Sequence, residues 1–127
     1  MLGVAAAEHE ETSPTAPMLL ISRLACSLVG QTQPVHFVAG SRIAAGYGQA
    51  EALEDFRCNY GFNPAFTERF RSSALAFVAF DYDGDLRAIE LPGQRFYIAT
   101  LFLPQMRSQP GQPHPLIKAY VQAALGE

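Results

Sequence analysis

The cysteines and histidines of this chain are the residues that could together form an activated nucleophile. The cysteines are Cys26 and Cys58, and the histidines are His9, His36 and His114. A cysteine becomes a catalytic nucleophile when a neighbouring base removes its proton. The chemistry open to the chain therefore depends on whether a histidine can reach a cysteine.

Cys58 directly follows Arg57, and a nearby cation raises the thiolate fraction of a cysteine. This pair favours a reactive thiol in a small-molecule pocket. Successive side chains of an extended segment point in opposite directions, so Arg57 could also lie away from the thiol. Cys58 would then be a small packed residue, as unpaired cysteines usually are. The sequence leaves both interpretations open.

His114 stands between two prolines in the segment PHPL. It could act as a general base, but the flanking prolines favour a structural histidine that orders the loop or caps the last helix. His9 and His36 have no second ligand at metal-binding spacing, and the spacing of the two cysteines matches no metal motif. We therefore expect no metal site and no cofactor.

The composition is that of one globular domain over residues 1–127. Hydrophobic residues make up 49% of the chain and charged residues 17%, and the formal net charge is -3. Interspersed charges give no broad positive surface for nucleic acid. No apolar run approaches the roughly 20 residues that a membrane helix needs, and the first residues do not resemble a secretory signal. We expect a cytoplasmic protein with reduced thiols that binds neither nucleic acid nor membrane.

Short strands and one short helix are predicted in the first half of the chain. Residues 18–22 and 33–38 favour strands, and residues 50–60 favour a further extended segment. Ser41 is a suitable N-cap for a helix that ends at Tyr47, because glycines follow that residue.

The second half is predicted to contain a helix capped by Asn63 and then a β-hairpin. The hairpin is indicated by Asp83-Gly84, which lies between two β-favouring runs. Residues 96–102 are nearly all apolar and predict a strand covered on both faces inside a sheet.

The last predicted element is a helix over residues 115–124, followed by Gly126. Its apolar residues recur at helical spacing, so this face is expected to pack on the sheet. They are Leu116, Ile117, Tyr120, Val121 and Ala124. Strands with helices between and after them predict an α/β fold with an antiparallel hairpin.

Three stretches carry motifs in a recognisable order. Residues 38–63, VAGSRIAAGYGQAEALEDFRCNYGFN, are similar to Pro-Gly-Ser, Tyr-Gly and Arg-His-Arg-Tyr-Glu-Val-Asn segments. Residues 81–100, DYDGDLRAIELPGQRFYIAT, match an Asp-Gly, Ile-Glu-Leu and Phe-Val-Ala-Thr pattern, and residues 101–125 match a strand, a loop and a Pro-His-Pro-Leu helix start. Together they resemble the carboxyl-terminal half of the class I glutamine amidotransferase domain of CTP synthases. The resemblance implies a flavodoxin-like three-layer α/β sandwich.

The residues that hydrolyse glutamine in that family are not matched here. The family's His-Pro-Glu supplies a base and the carboxylate that orients it, whereas this chain has Leu103, Pro104 and Gln105. The glycine-flanked cysteine of a nucleophile elbow is also not found in the sequence. The resemblance therefore predicts a pseudoenzyme without glutaminase activity. Whether the chain has any other enzymatic activity stays open.

The resemblance also suggests which residues line a pocket for a glutamine-like small molecule. Glu11 and Tyr60 match positions beside the glutamine, whereas Asn59 replaces an arginine that would bind the substrate carboxylate. Cys58 and His114 complete the candidate set. The segments SCSLVGQ and RCNYGFNP resemble more closely the CTP synthase C-terminal region-related proteins, some of which are selenoproteins, and this favours Cys58 as a redox candidate.

Several functions remain open at this stage. The chain could be an amidotransferase-like domain that does not hydrolyse glutamine, part of a CTP synthase-type enzyme of pyrimidine nucleotide biosynthesis, or a redox or small-molecule-binding module that uses Cys58. It could also pair with an upstream amidotransferase half-domain or with itself, because half of a domain leaves a sheet edge and an apolar face uncovered.

Overall fold

The computed structural model describes residues 8–10, 12 and 19–126. The strands in this part of the chain are β1 (Glu8–His9), β2 (Leu19–Arg23), β3 (Gln31–Phe37), β4 (Glu51–Phe56), β5 (Tyr60–Phe62), β6 (Ala76–Phe80), β7 (Leu86–Glu90) and β8 (Ile98–Thr100). The α-helices are α1 (Arg42–Tyr47), α2 (Thr67–Arg71) and α3 (Pro115–Ala124), and 3₁₀ turns span Pro64–Phe66 and Pro104–Arg107. None of the helices described is long and apolar enough to cross a membrane.

The strands form two sheets. The larger sheet has the order β4-β3-β6-β7-β8, and every neighbouring pair in it is antiparallel. The smaller sheet has the order β1-β2-β5, in which β1 is parallel and β5 antiparallel to β2. The apolar core lies against the larger sheet. Its members are Leu28, Val35, Phe37, Ile43, Phe56, Val78, Ala79, Ala88, Phe102 and Leu116.

The hairpin predicted at Asp83-Gly84 is confirmed and joins β6 to β7. The Asp81 carboxylate accepts hydrogen bonds from the backbone N–H groups of Asp83 and Asp85, at 3.0 and 2.8 Å. Gly84 has a φ of 86°, which a residue without a Cβ adopts without steric cost. The turn is therefore held by an aspartate side chain as well as by the glycine.

Helix α1 begins where the sequence predicts. The Ser41 side chain caps it by accepting a hydrogen bond from the backbone N–H of Ala44. The Glu90 carboxylate, at the end of β7, also accepts from the N–H groups of Arg42 and Ile43, at 3.2 and 3.3 Å. A negative charge at a helix N-terminus is favourable, so Glu90 joins the sheet to this helix.

Two segments differ in detail from the sequence-based expectation. Residues 50–60 form two strands, β4 and β5, because the extended segment breaks at residues 57–59. Asn63 does act as a cap, but it accepts from the N–H of Ala65 and begins a 3₁₀ turn, which α2 then follows.

A strand forms within residues 96–102, but the prediction that it lies inside the sheet and is covered on both faces was wrong. Within the described part of the chain, β8 is only three residues long and lies at the edge of the larger sheet. Tyr97 and Ala99 are exposed, and only Phe102 of this run is fully buried. An apolar run indicates that a segment will be covered, but it does not say whether this chain supplies the cover.

The helix predicted over residues 115–124 is confirmed as α3, but the expectation that its apolar stripe packs on the sheet was wrong. Leu116 is buried, and Ala119 lies close to Gly46 of α1, since a Cβ added to that glycine would be 3.5 Å from the Ala119 Cβ. Tyr120 and Val121 are 60% and 47% exposed. The helix therefore packs on α1 through its small residues and leaves most of its apolar stripe uncovered.

Candidate functional site

An open cleft lies between β5 and the β7–β8 edge of the larger sheet. Its volume is about 490 Å³, and its walls include the candidate residues Cys58, Asn59 and Tyr60. Arg57 and Arg87 also line it, and its described lining contains no carboxylate. The sequence-based candidates of the β4–β5 connection thus come together on one wall.

The thiol of Cys58 is half-buried and donates a hydrogen bond to the backbone carbonyl of Leu101, at 3.2 Å. Cys26 is exposed. Among the residues described, no hydrogen bond joins either cysteine to a histidine.

The polar groups of Asn59 and Tyr60 are held by residues that lie before β3 in the chain. Asn59 accepts a hydrogen bond from the Ser27 hydroxyl at 2.5 Å. The Arg23 guanidinium donates to the Tyr60 hydroxyl at 3.2 Å and lies 5.2 Å from the centre of the Tyr60 ring. These contacts tie the cleft wall to β2 and the loop after it.

Leu103 and Gln105, which resemble altered catalytic positions, do not line the cleft. The backbone N–H of Leu103 donates to the Asp55 carbonyl at 3.0 Å, and the Arg107 guanidinium lies 3.1 Å from the Asp55 carboxylate. Hydrogen bonds from Thr32 and then from Arg107 hold the pKa of Asp55 below its usual range. The segment that contains Leu103 and Gln105 is therefore fixed against β4.

His114 lies in a buried cluster with Glu54 and Tyr47, apart from the cleft. Its Nε2 is 2.6 Å from the Glu54 carboxylate, and its Nδ1 accepts a hydrogen bond from the backbone N–H of Leu116 at 3.0 Å. Since Nδ1 is an acceptor, the hydrogen bonds assign the neutral ring with its proton on Nε2, which donates to Glu54. Glu54 and His114 are only 1% and 3% exposed.

Tyr47 completes this Glu54–His114–Tyr47 cluster. Its hydroxyl donates to the same Glu54 oxygen at 2.5 Å and is 3.1 Å from the His114 Nε2. Burial and, second, the hydrogen bond to Glu54 raise the pKa of Tyr47 well above its usual range. The other Glu54 oxygen is buried and has no hydrogen-bond partner among the described residues.

Sequence reasoning missed Glu54 and Tyr47. The signal for Glu54 is its place in β4, where Ala52, Glu54 and Phe56 alternate with more exposed residues and therefore face the interior. A carboxylate on the buried face of a strand needs a partner. His114 is that partner, although it lies 60 residues away in the chain.

The remaining predictions concern Glu11 and metal binding. Glu11 lies outside the described residues. Within residues 8–10, 12 and 19–126, no group of three histidine, cysteine or acidic residues is arranged to hold a metal ion.

Comparisons with known proteins identify the class of the domain. No family model matches the chain. The glutaminase domain of Trypanosoma brucei CTPS, solved with bound acivicin, has a TM-score of 0.90 at 25% identity, and the match covers 100% of this chain and 53% of that chain. The fold is therefore that of a class I glutamine amidotransferase domain.

Curated sequences narrow this assignment. The CTP synthase of Methanothrix thermoacetophila is 35% identical over 127 residues, which cover 95% of this chain and 23% of the relative. The CTP synthase of Saccharopolyspora erythraea is 37% identical over 95 residues, which cover 72% of this chain and 17% of the relative. The chain is homologous to the glutamine amidotransferase domain of CTP synthase, and it spans less than a quarter of the length of these two relatives.

Removing His114 tests what the buried cluster contributes. We expect His114→Leu to lower the free energy of unfolding by about 3–5 kcal/mol, because it leaves the buried Glu54 carboxylate with the Tyr47 hydroxyl as its one described donor. The double variant Glu54→Leu/His114→Leu should be more stable than the single variant, since it also removes the stranded charge. Urea denaturation measures both. A double variant less stable than His114→Leu would contradict this account.

The raised pKa of Tyr47 predicts a loss of stability at alkaline pH. Below pH 10 the hydroxyl is protonated in both states, and above it the unfolded chain releases a proton that the folded chain keeps. The free energy of unfolding should then fall by up to about 1.4 kcal/mol per pH unit from this group. Denaturation between pH 9 and 11 should show a shallower fall for Tyr47→Phe. Tyr97→Phe, which changes an exposed tyrosine, should keep the wild-type slope.

Proposed function

We propose that this chain is a CTP synthase-related amidotransferase domain that does not hydrolyse glutamine. The observation that carries the proposal is the segment from Leu103 to Gln105. Leucine has no group that accepts a proton, and a neutral amide cannot stabilise an imidazolium. The contacts with Asp55 hold this segment against β4. Leu103 and Gln105, which replace the family's histidine and glutamate, therefore belong to a segment with a fixed position.

The histidines whose side chains the structure describes, His114 and His36, do not replace the missing base. Both ring nitrogens of His114 are engaged, one by the Glu54 carboxylate and one by the N–H of Leu116. His36 lies in β3 and stacks on Phe80 and Tyr82. In this proposal the thiol of Cys58, which is hydrogen-bonded to the Leu101 carbonyl, has no histidine among the described residues to activate it.

In this proposal the cleft binds a small molecule. Its volume of about 490 Å³ falls within the range of roughly 300–1,000 Å³ that small-molecule sites have. A ligand with a carboxylate, such as a glutamine-like amino acid, suits a wall that contains Arg57 and no acidic residue. Arg87 contributes less positive charge, because it is 2.9 Å from the Asp81 carboxylate.

Two alternatives have weaker support. Participation in a CTP synthase-type enzyme follows from the homology, but it would require glutamine hydrolysis without the base that the family uses. A redox role for Cys58 is the second alternative, but the described hydrogen-bond partner of its thiol is the backbone carbonyl of Leu101 and not a base.

The proposal includes a partner. The chain matches 53% of the T. brucei glutaminase domain chain, and a domain is built around one shared core. We therefore propose that this chain works together with the other half of an amidotransferase domain.

Glutamate release tests the catalytic part of the proposal. We expect the chain to release glutamate from glutamine no faster than a heat-denatured sample, because leucine stands in place of the catalytic histidine and no described histidine is hydrogen-bonded to a cysteine. Leu103→His/Gln105→Glu should be equally inactive, since the nucleophile elbow is still missing. The T. brucei glutaminase domain serves as the positive control. Release by the wild type that Cys58→Ser abolishes would overturn the proposal.

A further inference from the structure

A second cavity lies between the smaller sheet, α2 and the β6–β7 hairpin. Its volume is about 340 Å³, and it is more enclosed than the cleft described above. Phe62, Leu86 and Arg87 line both spaces and therefore form the wall between them. The volume is near the lower end of the range that small-molecule sites have, so a ligand the size of one substituted ring would fit within it.

Three phenylalanines give this cavity an aromatic lining. Phe62, Phe77 and Phe80 contribute to its walls, and each of them is half-buried. The ring centres of Phe62 and Phe77 are 5.9 Å apart and those of Phe77 and Phe80 are 6.3 Å apart, in edge-to-face arrangements. Aromatic rings favour a further ring that packs edge-to-face or offset against them. The lining therefore suits a planar aromatic group.

Two of the three arginines that line the cavity are held by other residues. Arg87 is 5% exposed, and its guanidinium lies 2.9 Å from the Asp81 carboxylate and 4.0 Å from that of Asp85. The guanidinium of Arg23 donates to the Tyr60 hydroxyl and lies over the Tyr60 ring. The positive charge of Arg87 is therefore compensated, and the position of Arg23 is fixed.

The third arginine, Arg71, is in the last turn of α2 and is exposed. Within residues 8–10, 12 and 19–126, no hydrogen bond or ion pair engages its guanidinium. A guanidinium presents a planar fork of donors that binds a carboxylate through two parallel hydrogen bonds. Arg71 thus offers the cavity one uncompensated positive charge beside an aromatic lining.

We propose that this space, which we call the Arg71 cavity, binds a small aromatic carboxylate. The ring of the ligand packs against the three phenylalanines, and its carboxylate accepts two hydrogen bonds from the Arg71 guanidinium. One uncompensated cation matches the single charge of a carboxylate better than the double charge of a phosphate monoester. Arg23 lies beside it and adds positive potential.

The inference goes beyond the proposed function and does not depend on it. Arg57 lines the cleft and not the Arg71 cavity, whereas Arg71 lines the cavity and not the cleft. Substitution of one arginine therefore changes one site and leaves the charge of the other site in place.

Titration of the full chain with phenylacetate, followed by ¹H–¹⁵N NMR, tests the inference. We expect saturable shifts at the amides of α2 and β6, and an affinity that Arg71→Gln lowers by at least about tenfold because it removes the charge-assisted hydrogen bonds. Arg69→Gln makes the same change of charge on the same helix outside the cavity lining, and it should keep the wild-type affinity. Arg57→Gln should keep it as well. Equal losses in Arg71→Gln and Arg69→Gln, or a loss in Arg57→Gln, would overturn the inference.

Three further compounds test the chemical class of the ligand. Phenylacetamide has the ring without the charge, and acetate has the charge without the ring, so each should bind at least about tenfold more weakly than phenylacetate. Phenyl phosphate should bind no more tightly than phenylacetate. Tighter binding of phenyl phosphate would contradict the choice of a carboxylate. Phenylacetate that gives no saturable shifts would contradict the site itself.

A variant that fills the cavity provides a second measurement and leaves Arg71 in place. Ala25 is exposed and lines the cavity, so the ring of Ala25→Trp would take up part of its volume. We expect this variant to lose phenylacetate binding while its circular dichroism spectrum and Tm stay close to those of the wild type. Unchanged binding by Ala25→Trp would overturn the location of the site.

Discussion

The hydrogen bond between Glu54 and His114 connects the parts of the fold that lie far apart in sequence. Glu54 belongs to β4, His114 immediately precedes α3, and Tyr47 adds the end of α1 to the same carboxylate oxygen. His114 also caps α3 through Leu116. Burying a carboxylate is costly, and the loss of one partner costs more than the pair contributes. The cluster therefore specifies how these elements meet.

This use of His114 constrains what chemistry the chain can do. An imidazole that donates to a buried carboxylate and accepts from a helix N–H has no nitrogen left for a substrate. In the cleft, the thiol of Cys58 has only a backbone carbonyl as its described hydrogen-bond partner. The ionisable side chains of His114 and Glu54 thus stabilise the fold, whereas the cleft has a concave shape and a positive charge. This arrangement supports our proposal that the domain binds a small molecule and does not hydrolyse glutamine.

Local signals in the sequence were sufficient for the hairpin at Asp83-Gly84 and for the cap at Ser41, because each depends on neighbouring residues. The buried cluster was not predictable, since it pairs Glu54 with a histidine 60 residues away. The prediction that β8 is a central strand was wrong for a different reason. Hydrophobicity predicts that a segment becomes covered, but it does not identify the covering element. In this chain the cover of β8 and α3 is not supplied by the described residues.

The protonation state of His114 tests the central claim most directly. Long-range ¹H–¹⁵N NMR spectra at pH 7 distinguish the two neutral tautomers from the charged ring. We expect the neutral tautomer with the proton on Nε2, because Nδ1 accepts from Leu116 and Nε2 donates to Glu54. A ring protonated on Nδ1, or a freely exchanging imidazole, would contradict the claim that this histidine is committed to the fold.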